Sequence, residues 1–193
     1  PRLFTGLELP SLVAARLAGM RGGLYGARWI TPDDYHITLQ FFGDMSAGQA
    51  RALDDVLVNI FCEPLTLRIS GLRIFGGDRP RALVADIVPH PSLTHLQAHQ
   101  ERLARRLGLG LEKRKFVPHI TLARLRDGSA YQAAQFLSMQ GAFPSLSFTV
   151  DRFVLYSSRH SLGGGPYVVE AVYPFCTTVS YTHLRAHETR EDL

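Results

Sequence analysis

His36-Ile37-Thr38-Leu39 and His119-Ile120-Thr121-Leu122 are one tetrapeptide met twice, once in each half of the chain. Each copy follows a proline-bearing segment, with Pro32 before the first and Pro118 before the second, and each sits in a run of β-forming residues. Side chains alternate between the two faces of a strand, so His36 and Thr38 project together while Ile37 and Leu39 point the other way. The same parity pairs His119 with Thr121 against Ile120 with Leu122. Each copy is therefore an imidazole and a hydroxyl on a polar face, backed by aliphatic packing. Two halves related by a pseudo-two-fold would turn these pairs toward each other across a cleft.

Working outward, the chain alternates short strands with short helices. Arg2–Leu9 reads as a strand and Ser11–Met20 as a helix after Pro10. Ala27–Ile30 is a short extended piece, Thr31–Asp34 a turn, and Tyr35–Phe42 a strand ended by Gly43. Ser46 is placed to cap a helix running to about Cys62, with Val56, Leu57 and Ile60 inward. Leu65–Phe75 and Arg81–Val88 flank a Gly76-Gly77-Asp78-Arg79-Pro80 turn, which predicts a hairpin. Pro91 to Leu107 repeats apolar residues at helical spacing (Leu93, Leu96, Leu103, Leu107) and stops at Gly108. Pro118–Leu125 reads as a strand, Ala130–Met139 as a helix, and Phe148–Tyr156 and Tyr167–Tyr173 as two last strands. Hairpins mixed with helices predict an α+β domain rather than a doubly wound parallel sheet.

Composition narrows the function. The 193 residues carry 21 basic and 17 acidic side chains, a net charge of +4, with 46% hydrophobic and 20% charged residues. That is the balance of a folded domain. No apolar run reaches the roughly 18–20 residues of a membrane span, and the first residues do not read as a signal peptide. Cys62 and Cys176 are the only cysteines and form no CxxC, which excludes a disulfide framework or a cysteine zinc site and points to a reducing cytoplasm. No P-loop, nucleophilic serine motif or acidic metal cluster is in the sequence.

Two opposed histidines suit acid–base chemistry, because the ordinary imidazole pKa lets one be neutral while the other is protonated. Threonine hydroxyls can hydrogen-bond phosphoryl oxygens as charge rearranges. At these residues the chain resembles the 2H phosphoesterase superfamily, which is defined by two His-x-Thr-x motifs. The bacterial RNA 2′,3′-cyclic phosphodiesterase family, also called 2′-5′ RNA ligase, is the nearer likeness. Supporting segments are Arg2-Leu3-Phe4, Leu7-Glu8-Leu9-Pro10, Ala27-Arg28-Trp29, Phe116-Val117-Pro118 with Ala123-Arg124 around the second motif, and Leu155-Tyr156-Ser157-Ser158.

The resemblance implies a bilobal α+β fold, with two antiparallel sheets, outer helices and the catalytic strands lining a central cleft. It implies metal-independent, cofactor-free opening of a terminal 2′,3′-cyclic phosphate to a 2′-phosphomonoester. His36 would be the proton donor to the departing O3′ and His119 the proton acceptor that activates water. Thr38, Thr121 and Arg124 would hold the phosphate. Strict alternation sets Arg124 on the face opposite His119, so a bulge or a strand end near Ala123 is needed to bring it round. The partner expected is RNA with a 2′,3′-cyclic phosphate end or a small cyclic nucleotide, bound by a monomer away from membranes. Two alternatives remain open: ligation to a 2′-5′ bond by the same site in reverse, and an RNA-binding module without catalysis.

The other candidates read as follows. Lys113-Arg114-Lys115, just before the second motif, is either a grip on an RNA backbone or a solvated loop. Arg102, Arg105 and Arg106 read as a solvent face, and Trp29 as core. His95 and His99 have the spacing of metal ligands but lack a third. Tyr156 is a candidate base-stacking ring. Phe41 shares parity with Ile37 and Leu39, which favours core packing over stacking. Gly163 to Gly165 reads as a flexible hairpin. Residues 1–175 are expected to form one two-lobed domain. The stretch 176–193 has no apolar period and resembles translated sequencing adapter, so His183 and His187 within it are not expected to bind metal.

Overall fold

A computed structural model describes residues 1–141, 143, 145–158 and 165–176 of the chain. Gly163, Gly164, His183 and His187, and the expectations attached to them, lie outside the described residues.

The strands, in chain order, are β1 (Arg2–Glu8), β2 (Ala27–Trp29), β3 (His36–Asp44), β4 (Leu65–Phe75), β5 (Ala82–Ile87), β6 (His119–Leu125), β7 (Leu146–Val150), β8 (Arg152–Ser157) and β9 (Val168–Pro174). The helices are α1 (Ser11–Ala18), α2 (Ala47–Leu57), α3 (Pro91–Arg106) and α4 (Ala130–Met139). None of these helices is long and apolar enough to cross a membrane. The strands assemble antiparallel in the order β7-β4-β5-β6-β3-β1-β8-β9, with β2 added on β6. The two expected sheets are the two halves of this array, β7-β4-β5-β6 and β3-β1-β8-β9. One residue pair, Ile37 against Ile120, joins β3 to β6 and makes the halves continuous.

The sequence suggests one strand over Phe148–Tyr156, but the structure divides it. Asp151 separates β7 from β8, and the two pair at opposite ends of the array, β7 on β4 and β8 on β1. Val150 and Phe153 are both buried in the same core, so the apolar run is real. The division follows from where backbone partners are free, which local pattern does not encode.

The helices cover one face. Val13 and Leu17 of α1, Leu53 and Leu57 of α2, Leu93, Leu96 and Ala104 of α3, and Phe136 of α4 share one core with Ile37, Leu39, Leu83, Ala85, Ile120 and Leu122 of the strands. Gln97 and Gln100 also face inward from α3. Gln97 donates to Gln40 at 2.9 Å, and Gln100 accepts from the Thr5 hydroxyl, so these polar groups enter the core in pairs. The internal repeat reaches further than the tetrapeptide. Ser46 with Gln49, and Ser129 with Gln132, form capping boxes on α2 and α4 at the same distance beyond their histidines.

Ile37 and Ile120 are fully buried where the halves meet. Ile37→Ala and Ile120→Ala are each expected to cost about 2–5 kcal/mol. Because the residues face each other, the double variant should lose less than the two costs combined. Urea unfolding of the four proteins checks this, and strict additivity would show that the seam is not a contact.

Candidate active site

β3 and β6 run side by side at the centre of the array and present their motifs on the face away from the helices. Ile37 and Ile120 point into the core with no exposure, while His36, Thr38, His119 and Thr121 are half-buried on the other face. The antiparallel pair at Ile37 and Ile120 brings the flanking residues of both motifs to the same place. Each motif therefore reaches the site by simple strand alternation from a buried isoleucine.

Alternation fails just beyond each motif, and in the same way. In β1·β3, Gly6 lies opposite Thr38 and Thr5 opposite Gln40, so Leu39 is an extra residue. In β5·β6, Val84 lies opposite Thr121 and Leu83 opposite Ala123, so Leu122 is extra. These matched bulges reverse parity. Arg124 is thereby returned to the face of His119, as an exposed residue paired in register with Ala82 on one side and Arg28 on the other. The bulge also overturns the reading of Phe41 as core. Phe41 is 52% exposed and lies 5.4 Å, ring to ring, from Phe4.

Phe41 and Arg124 hold equivalent places in the two copies, so the halves differ where they face a ligand. Around His36 the wall is aromatic. Phe4, Tyr156 and Tyr167 stand 5.3, 5.3 and 5.1 Å from its ring. Phe4 and Tyr156 belong to a small buried cluster on this face, separate from the main core. Tyr156 is thus 6% exposed and supports the aromatic wall from beneath, leaving Phe41 as the open ring. Gly6 is the floor: a Cβ there would lie 3.1 Å from the Tyr156 ring and 3.4 Å from His36. Around His119 the wall is basic, with Arg124 beside it and Arg73 nearby on β4.

The imidazoles are held alike. His36 Nδ1–H donates to the Asp34 carbonyl at 2.8 Å, and His119 Nδ1–H donates to the Val117 carbonyl at 2.6 Å. A carbonyl can only accept, so Nδ1 carries the proton in both rings and Nε2 is left to act. His36 Nε2 lies 2.9 Å from the Thr38 hydroxyl. Burial, before any other cause, pushes His36 down to about 4; the Asp34 carbonyl opposes this, and the charges of His119 and Arg124 add to it. His119 is also lowered, again by burial first. The Val117 carbonyl and Asp86 pull it up, and Arg124 and Arg73 push it down.

Sequence reading did not single out Asp34, Phe4, Phe75, Arg73, Asp86 or Tyr167. Asp34 carries two loads, since its carboxylate also accepts the Tyr167 backbone N–H at 3.2 Å and so ties β9 to the site. Its only sequence signal was a turn next to the motif. The remaining candidates lie elsewhere. Arg102, Arg105 and Arg106 are exposed on α3 as read. Trp29 is half-buried and packs against Phe136 at 6.2 Å. His95 and His99 stay on α3, and no group of three or more metal-ligating side chains gathers among the described residues. Lys113, Arg114 and Lys115 line an open cavity of about 550 Å³ with Glu101 and Arg105.

Over residues 9–161 the chain matches the 2′-5′ RNA ligase superfamily. An RNA 2′,3′-cyclic phosphodiesterase of Bacillus subtilis is 32% identical over 134 residues, covering 66% of this chain and 73% of that protein. One of Geobacillus stearothermophilus is 33% identical over 135 residues, covering 68% of this chain but only 42% of that protein, so the chain spans less than half of that relative. Among solved structures, a phosphoesterase shares the fold with a TM-score of 0.74 at 23% identity, over 91% of this chain and 99% of that one. Escherichia coli LigT in complex with 3′-AMP has a TM-score of 0.71 at 26% identity, over 91% of this chain and 98% of that one. The paired motifs, the joined half-sheets and the match across most of the sequence lead to one family: this chain belongs to the 2′-5′ RNA ligase superfamily of 2H phosphoesterases.

Proposed function

We propose that this chain hydrolyses 2′,3′-cyclic phosphates at RNA ends, or on small nucleotides, to 2′-phosphomonoesters. One observation carries the reading: two His-x-Thr units stand on one face of the two strands that join the half-sheets, each imidazole with its Nε2 left to act. The names of the relatives supply the substrate class. His119 takes a proton from water through Nε2 as the water oxygen bonds to phosphorus. The bond from phosphorus to O3′ breaks, and His36 gives its proton to the departing oxygen. Thr38, Thr121 and Arg124 hold the phosphoryl oxygens, the guanidinium through charge-assisted hydrogen bonds. The aromatic wall, with Phe41 open, takes the base or ribose. The reading includes a cytoplasmic setting, in keeping with a sequence whose two cysteines form no CxxC.

His36 is neutral in the ligand-free site at pH 7, since its pKa lies near 4. A proton donor must be charged, so the substrate has to help. A bound phosphate anion favours imidazolium on both rings and raises their pKa values. The free protein is therefore expected to show the His36 titration near 4, below that of His119. Inorganic phosphate should move it upward. NMR of the ring protons measures both, and a His36 midpoint that stays put in saturating phosphate would remove it as the donor.

The same shift has a stability consequence. His36 binds its proton less readily folded than at its ordinary 6.5, so the unfolded chain holds more protons between those values. Its contribution is present above pH 6.5 and is lost as pH falls toward 4. Replacement by Gln should flatten that part of the profile of unfolding free energy against pH.

Activity gives the direct test. With a 2′,3′-cyclic nucleotide in EDTA, the wild type is expected to yield the 2′-monoester, identified by phosphorus NMR. His36→Ala and His119→Ala should each lower kcat by about 10²–10⁴-fold while remaining folded by circular dichroism. Near-full activity in either variant, or strict dependence on added metal, would overturn the mechanism.

A further inference from the structure

His119 sits at the end of a short relay that the roles above do not use. Asp86 of β5 lies directly opposite it in the sheet register. From the next strand, β4, the Arg73 guanidinium meets Asp86 Oδ1 at 2.8 Å. That guanidinium also lies 4.9 Å over the ring of Phe75. The Phe75 ring in turn meets His119 in a T-shaped contact, 4.8 Å between centroids at 75°. Ala82 and Val84, the β5 residues on this face, are small enough to let these longer side chains close above them, and both are buried. Four side chains from three strands are thus linked in a ring that ends on one imidazole.

The opposite half repeats the charge pattern. Glu8 lies opposite His36 in the β1·β3 register, and Arg152 of the adjoining strand β8 meets Glu8 at 3.2 Å. In both halves a carboxylate stands across from the histidine and an arginine one strand further out engages it.

We propose that Arg73 is a positioning residue for His119: it occupies Asp86, the carboxylate facing that histidine, and braces Phe75, the ring His119 rests against. The proposal rests on His119 being a working histidine of the site. A carboxylate beside an imidazole favours the charged ring, whereas a proton acceptor must enter the reaction neutral. Four charged or titratable groups act on His119: Asp86 from β5, Arg73 from β4, Arg124 from its own strand and His36 from β3. Of these charges only Asp86 draws a proton toward it, alongside the Val117 carbonyl that its Nδ1–H meets. Arg73 offsets that pull at its source, and the stacking on Phe75 fixes the ring plane while it does so. Arg73 is half-exposed and outside the core, so its replacement leaves the fold intact.

The test is the His119 titration, followed by NMR in the full chain without ligand, in the wild type, R73Q, R73K and D86N. R73Q is expected to raise the His119 midpoint by about half a unit or more, because Asp86 is then unopposed. D86N should lower it. R73K, which keeps the charge, should stay near the wild type. In kcat/KM for a 2′,3′-cyclic nucleotide, the alkaline limb of the bell, which the higher of the two histidine midpoints governs, should rise with R73Q. An unmoved or lowered midpoint in R73Q overturns the proposal, and lost thermal stability with no change of midpoint overturns it equally. The titration needs no turnover. If the midpoints move as stated while the wild type cleaves no cyclic phosphate, the proposed function fails and the coupling stands. If the wild type cleaves and R73Q leaves the midpoint unmoved, the coupling alone fails.

Discussion

The halves of this sheet meet through one residue pair, Ile37 against Ile120, and the placing of both His-x-Thr units follows from that contact. Buried isoleucines on one side of β3 and β6 oblige the neighbouring histidines and threonines to emerge on the other. The two strands then part, each carrying an extra residue shortly past the pair, at Leu39 and at Leu122. A bulge bends its strand and increases its twist. The one residue pair that joins β3 to β6 lies within the motifs, where the two imidazoles stand. One apolar contact and two matched irregularities set both motifs, and the residues five positions past each histidine, on one face of a continuous sheet.

An internal repeat supplies the frame, and differences between the copies give the site two unlike sides. The repeat extends from the motifs to the bulges, the carbonyl that orients each imidazole, the facing carboxylate with its arginine, and the Ser–Gln capping boxes of α2 and α4. It breaks at the place five residues past each histidine, where Phe41 stands in one half and Arg124 in the other. An aromatic ring attracts a planar base, and a guanidinium attracts phosphate. A nucleotide end carries one group of each kind, so under the proposed function a site with one wall of each kind would orient it in a single sense. The same polarity distinguishes the imidazoles, since one is enclosed by rings and the other is bordered by charge.

Burial weakens both histidines as bases, but their surroundings differ. Phe4, Tyr156 and Tyr167 enclose His36, and burial lowers its pKa to about 4. His119 has Asp86 across the sheet, and with it Arg73 and Arg124. Under the proposed mechanism the donor role of His36 would depend on the charge of the substrate, while burial and the neighbouring arginines hold His119 below its ordinary range. This arrangement makes the protonation state of the site a property of the complex rather than of the empty protein.

Much of this was legible in the chain alone. The repeated His-x-Thr tetrapeptide fixed which face its histidines and threonines take, because a strand with alternating polarity has only one way to bury Ile37 and Ile120. The ranges of β1, β4, α3 and α4 followed from local periodicity and stop residues in the same manner. Arg124 and Phe41 could not be placed by that rule, since parity holds only while the register does, and a register shift belongs to the pairing of two strands. The division of residues 146–157 between opposite ends of the sheet, and the gathering of Phe4, Phe75, Arg73 and Asp86 about the two imidazoles, were invisible for a related reason. These neighbours come from strands distant in sequence. Amino-acid order therefore determined which strands carry the paired His-x-Thr units, and tertiary structure alone decided which charges and rings surround them, because strand partners are chosen by the fit of the whole sheet and not by any one segment.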